Sequence, residues 1–112
     1  MKLSTRQADG VTVFDISGRV VLGEDTALLR NSVRELLAQG KKKILVNMGE
    51  ATHIDSSGLG ELVTSCVSVR KAGGDMKLLK LTKKVHDVLQ VTKLYTVFDI
   101  YDDEGKALKS FG

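Results

Sequence analysis

The stretch HIDSSGLGEL, His53–Leu62, decides how this chain is read. An aspartate, two serines and two glycines stand between a short apolar run and a segment with helical periodicity. On the left, KKILVNM (Lys42–Met48) carries Ile44, Leu45 and Val46 in succession, as expected of a strand covered on both faces. On the right, Leu59, Leu62, Val63, Cys66 and Val67 recur at the 3.6-residue period over a helix from about Ser57 to Ala72, and Gly73-Gly74 stop it. The quoted stretch is therefore a strand-to-helix turn, the place where open α/β sheets collect their chemistry.

The flanking sequence extends the same alternation. LSTRQADGVTVFDIS reads as two strands joined at Asp9-Gly10, because both central residues of a type I′ turn need positive φ. The second strand, Val11 to Ser17, sets Val11, Val13 and Asp15 on one face and Thr12, Phe14 and Ile16 on the other. GRVVLGE follows as a loop. A helix starts at Glu24 or Asp25, runs to about Gln39 with Leu29, Val33, Leu36 and Leu37 as its stripe, and ends at Gly40. MKLLKL is a strand, Thr82 caps a helix bearing Val85, Val88 and Leu89, TVFDIY is a last strand, and DDEGKALKSF forms a short terminal helix held by Ala107, Leu108 and Phe111. The order β-β-α-β-α-β-α-β-α specifies one α/β domain over residues 1–112: a mixed, mainly parallel sheet with an antiparallel edge strand at its N-terminal side.

Composition narrows the function classes. An apolar content of 42% with 28% charged residues is that of a globular domain, and no apolar run is long enough to span a bilayer. The chain opens without a secretory leader pattern and has one cysteine, both pointing to the cytoplasm. Cys66 falls on a helical stripe and reads as a core residue. With His53 and His86 far apart and Cys66 alone, no metal-ligand spacing is present, and His53 reads as a half-exposed structural histidine. The net charge of +3 is spread along the chain, and aromatic residues make up only 4%, unlike a nucleic-acid surface. Lys41–Lys43, the one basic run, reads as a solvated turn.

Four readings of Asp55-Ser56-Ser57-Gly58 remain open on the residues alone. The first is a polar helix cap with close-packing glycines. The second, a serine hydrolase, lacks both the G-x-S-x-G elbow and a His–acid partnership. The third, a nucleotide cradle, lacks both phosphate-loop patterns, so no cofactor is indicated. The fourth is a phosphate acceptor, since a helix N-terminus accommodates the added dianion. The helix should also expose Glu61, Thr64 and Ser65 beside the turn.

HIDSSGLGELV resembles the signature of the STAS domain of bacterial anti-sigma factor antagonists. GVTVFDISGRV, KKILVNM, AGGDMKLLKL and VHDVLQVTKLYTVFDIY resemble that family's successive strands, links and closing helix, in order, over nearly the whole chain. The resemblance implies a binding module without enzymatic activity. Unphosphorylated, it would sequester an anti-sigma factor that is also a serine kinase and so release a sigma factor. The kinase would phosphorylate Ser56, with Ser57 a secondary acceptor, and a PP2C-type phosphatase would reverse the step. Asp55, Ser56, Ser57, Gly58 and Leu59 would contribute to the partner surface together with Glu24, Asp25 and Glu61, with Asp55 and Ser57 shaping the acceptor loop. In one respect the chain departs from the family. Where members carry an aspartate directly after the G-R-aliphatic turn, Val20 and Val21 stand here, which leaves Glu24 or Asp25 to supply the carboxylate. The alternative is a constitutive STAS scaffold or signalling-complex subunit in which the serines only cap a helix.

Overall fold

The structure, a computed structural model, describes residues 1–112. Five strands form one sheet in the order β1-β2-β3-β4-β5, where β1 is Lys2–Ala8, β2 Val11–Val20, β3 Lys43–Ile54, β4 Asp75–Leu79 and β5 Ile100–Tyr101. β1 pairs antiparallel with β2, and the remaining pairs are parallel. The hairpin between β1 and β2 turns at Asp9 and Gly10 with φ of 51° and 77°, the two positive values a type I′ turn requires.

Helices α1 (Glu24–Ala38), α2 (Ser56–Lys71) and α3 (Lys83–Thr92) connect successive parallel strands. Right-handed crossovers that always step the same way across a sheet place their helices on one face. All three accordingly share the larger core. Leu29, Val33, Leu59, Leu62, Cys66, Val69, Val85 and Leu89 pack there on Phe14, Ile16, Ile44, Val46, Met76 and Leu78. The terminal helix α4 (Glu104–Ser110) covers the opposite face, where Ala107 joins Val11, Val13, Leu45 and Leu79. Ile44, Leu45 and Val46 are thus buried by different layers in turn. Burying each such aliphatic side chain contributes about 1.5–3 kcal/mol.

The structure corrects four of the sequence expectations. β2 does not stop at Ser17; it runs on through Gly18 and Arg19 to Val20, so that the first three residues of the expected GRVVLGE loop are strand. Its extension pairs with an equally unexpected extension of β3, in the register Gly18↔Ala51, Arg19↔His53 and Val20↔Ile54, across two bulges. The last strand is only Ile100–Tyr101, because Lys93 leaves α3 in the left-handed region and the chain makes a further 3₁₀ turn at Leu94–Thr96. On α2, Val67 is exposed and Val69 takes its place in the core. The buried arc of that helix is rotated because α1 lies against it. The same contact buries Glu61 and Ser65, both expected in solvent, and leaves only Thr64 of that trio exposed.

Candidate functional site

The end of β2, the end of β3 and the first turn of α2 meet at one point. Asp55 is the residue that ties them. It sits in extended conformation ahead of α2, and its Oδ1 accepts the Gly58 N–H at 2.7 Å, satisfying one of the N–H groups that a helix start leaves without a partner. Its Oδ2 accepts the Leu22 N–H at 3.0 Å, and its own N–H donates to the Val20 carbonyl at 3.3 Å. One carboxylate therefore caps the helix and holds the β2–α1 loop. The hydrogen bond from Gly58, then that from Leu22, keeps the Asp55 carboxyl below the usual carboxylate range. Ionised and with both oxygens engaged, it is a structural anchor and not a general base, which would need a pKa near the working pH.

Gly58 makes this arrangement possible. A Cβ at that position would stand 2.2 Å from the Val20 carbonyl oxygen, so only glycine lets the helix start approach the strand end so closely. Leu59, the next residue, is buried at 3% exposure and belongs to the core, which removes it from any surface a partner touches. Glu61 is likewise withdrawn. Its carboxylate accepts from the Arg30 guanidinium, with Nε at 2.8 Å and Nη2 at 2.6 Å, across the α1–α2 seam.

What remains at the surface is narrower than the sequence suggested. Ser56, the first residue of α2, is exposed, and Ser57 is half-buried beside it. Ser57 borders a shallow depression with Leu22, Thr26, Arg30, Gly60 and Thr64. Of the two acids offered by the loop, Glu24 is exposed at the start of α1. Asp25 is turned inward: its Oδ2 accepts the Val21 N–H at 3.4 Å, and its Oδ1 lies 3.2 Å from the Met1 amino nitrogen. His53 is exposed, and its Nε2 lies 3.0 Å from the Lys84 Nζ at the start of α3.

The sequence reading missed Leu22. It is 72% exposed at the tip of the β2–α1 loop, and the Asp55 carboxylate fixes its backbone. A leucine flanked by Val21 and Gly23 in an expected loop was the available signal. Arg30, the other residue missed, has no local signature, because its role follows from the approach of two helices.

The fold and this turn define a small α/β domain whose distinctive surface is an accessible serine at a helix start, braced by an aspartate cap. The STAS domain model matches residues 2–107, and the chain belongs to the STAS domain family. It is 30% identical over 100 residues to the anti-sigma-B factor antagonist of Bacillus subtilis, covering 89% of this chain and 90% of that protein. It superimposes on the crystal structure of the Thermotoga maritima protein TM1081 with a TM-score of 0.89 at 27% identity, covering 97% and 93% of the two chains. The anti-sigma factor antagonist SpoIIAA shares the fold at 17% identity in its unphosphorylated form, with a TM-score of 0.74 and coverage of 97% and 96%. No helix is long and apolar enough to cross a membrane.

Proposed function

We propose that this chain is an anti-sigma factor antagonist that acts by binding and is switched at Ser56. The observation that carries the reading is the placement of Ser56: exposed, first in α2, and next to a cap made by Asp55 on the Gly58 N–H, which does not use the Ser56 hydroxyl. In the unphosphorylated state the surface around Ser56, Ser57, Leu22 and Glu24 binds an anti-sigma factor that is also a serine kinase, and a sigma factor is released. The kinase transfers the γ-phosphoryl group of ATP to the Ser56 hydroxyl, the hydroxyl proton leaves, and ADP departs. A PP2C-type phosphatase later hydrolyses the ester. The cycle belongs to the cytoplasm, and the chain itself catalyses no step.

The physics of release is electrostatic. Phosphorylation adds about −1.5 to −2 charges at neutral pH. At the free surface the start of α2 offsets this by up to ~1 kcal/mol, so the fold survives. Inside an interface without matching cations, the same group loses its hydration at a cost of several kcal/mol. Each 1.4 kcal/mol is about tenfold in affinity, so several suffice to dissociate a tight complex. The Bacillus subtilis relative carries the name anti-sigma-B factor antagonist, and SpoIIAA has also been solved in its phosphorylated form, where the fold again superimposes, with a TM-score of 0.76.

The test is intact mass with site mapping on the protein recovered from its own host, alongside Ser56→Ala and Ser57→Ala. One phosphate, lost in Ser56→Ala and retained in Ser57→Ala, is the expected result. Absence of phosphate under growth and stress conditions alike would favour the constitutive scaffold.

A further inference from the structure

Val21, Leu22 and Gly23, which join β2 to α1, carry an apolar side chain at the surface on a backbone that is tied at every step. Leu22, the middle residue, is 72% exposed and belongs to neither core. The Val21 N–H donates to the Asp25 Oδ2 at 3.4 Å, the Leu22 N–H to the Asp55 Oδ2 at 3.0 Å, and the Gly23 N–H to the Thr26 Oγ1 at 3.3 Å. Three side chains thus fix this short connection, two from the first turn of α1 and one from the cap of α2. Gly23, at φ 117°, turns the chain into α1 and leaves Leu22 at the tip.

Most of the charge around Leu22 is already engaged. Asp25 and Asp55 are bound to backbone N–H groups, and Glu61 is paired with Arg30. Of these neighbouring acids and Glu24, only Glu24 is exposed and outside every ion pair. Leu22 borders the shallow depression that also takes in Ser57, Gly60 and Thr64, so a partner that covers the serine turn meets Leu22 as well. In the free chain this side chain stays in water. Against an apolar partner surface it would be withdrawn from water, and the tied backbone leaves little beyond its own rotamers to be ordered.

We infer that Leu22 is the apolar anchor of the partner interface: its side chain enters a pocket of aliphatic or aromatic side chains on the anti-sigma factor kinase that takes Ser56. The inference rests on the reading of this chain as an anti-sigma factor antagonist. Continuity with the serine turn puts the pocket on that same partner. Asp55 holds Leu22 with one carboxylate oxygen and caps α2 with the other, which fixes the anchor relative to the acceptor serine. A charged group opposite Leu22 would be buried without a counterpart, so the complementary surface has to be apolar.

The test is calorimetric titration of the full, unphosphorylated chain with the purified anti-sigma factor kinase of the same organism. Leu22→Ala should weaken binding by about tenfold or more, and Leu22→Asp by about a hundredfold or more. Leu22→Met, which keeps an apolar side chain of similar volume, should stay within about threefold of the parent. Val91→Ala removes a side chain that is 84% exposed on α3, outside this surface, and should change binding less than about twofold. None of these side chains is buried in the free chain, so all four variants should melt within about 3 °C of the parent. The inference is overturned if Leu22→Ala binds as tightly as the parent, even where Leu22→Asp does not, or if Val91→Ala loses as much as Leu22→Ala. A parent chain that fails to bind the kinase at all would overturn the antagonist reading, and the inference with it.

Discussion

Substituting alanine at the two glycines of the serine turn should give opposite outcomes. At Gly58 a methyl group would meet the Val20 carbonyl oxygen at 2.2 Å, well inside the 3.0 Å that real Cβ contacts respect. The start of α2 and the end of β2 must then part by roughly 1 Å, an overpacking cost of about 1–3 kcal/mol. The Asp55 N–H bond to Val20, already 3.3 Å long, would be lost as well, for about 1 kcal/mol. Against this, alanine improves helix propensity by up to about 1 kcal/mol. The net expectation for Gly58→Ala is a destabilisation of about 1–3 kcal/mol. Gly60, one turn position further on, has nothing within 4 Å of its Cβ site. Gly60→Ala should therefore stabilise the domain by about 0.5–1 kcal/mol. At roughly 4 °C per kcal/mol for a domain of this size, the first variant melts about 4–12 °C below the parent and the second about 2–4 °C above it. Urea unfolding followed by circular dichroism, with thermal melts in parallel, reads both. A Gly58→Ala protein as stable as Gly60→Ala would refute the close approach of β2 and α2, and with it the bracing of the serine turn.

Three further outcomes follow from specific contacts. Arg30→Ala strands the Glu61 carboxylate, whose side chain is 6% exposed, and should cost about 1.5–3 kcal/mol; Glu61→Gln, which keeps a neutral acceptor, should cost less, and equal losses in urea midpoint would contradict the pairing. Arg6 donates to both Asp15 and Glu104, and these hydrogen bonds hold both carboxyls below their ordinary range. Because the folded-state values are depressed, the stabilisation is full above the unfolded values and is lost as pH falls through the folded ones. The gap in stability between the parent and Arg6→Gln should therefore be widest at neutral pH and close from about pH 4 downward, and a pH-independent gap would refute the linkage. Burial pushes the Cys66 thiol up, so alkylation should proceed at the rate of unfolding and accelerate in urea; rapid modification of the native protein would show that α2 does not pack as described.

The features legible in the sequence were the local ones. Asp9-Gly10 specifies its own turn, and Thr82 caps α3 through the Val85 N–H. The run Ile44–Val46 declares a strand buried on both faces because each face needs an apolar side chain. What escaped depends on partners distant in the chain. GRV and ATHI carry no strand pattern; they are strands because each pairs with the other across bulges. Glu61 looks like a solvent-facing helix residue until α1 brings Arg30 over it. In the site, a polar cap at the helix start was readable, with Asp55 and Ser56 both able to supply it; the extended backbone of Asp55 and its bond from Gly58 decide for Asp55. The hold of Asp55 on Leu22 was not readable, since it links residues 33 positions apart.

The central claim is that a phosphate on Ser56 separates this domain from its partner. Its most direct test is the affinity of the purified anti-sigma factor kinase of the same organism for the chain in two homogeneous states, unmodified and phosphorylated at Ser56, with a Ser57→Ala background excluding the second acceptor. The unmodified chain should bind tightly, and phosphorylation should weaken binding by about a hundredfold or more, the equivalent of roughly 3 kcal/mol. Equal affinity of the two states would contradict the claim and leave Ser56 as an exposed first-turn residue of a constitutive binding domain.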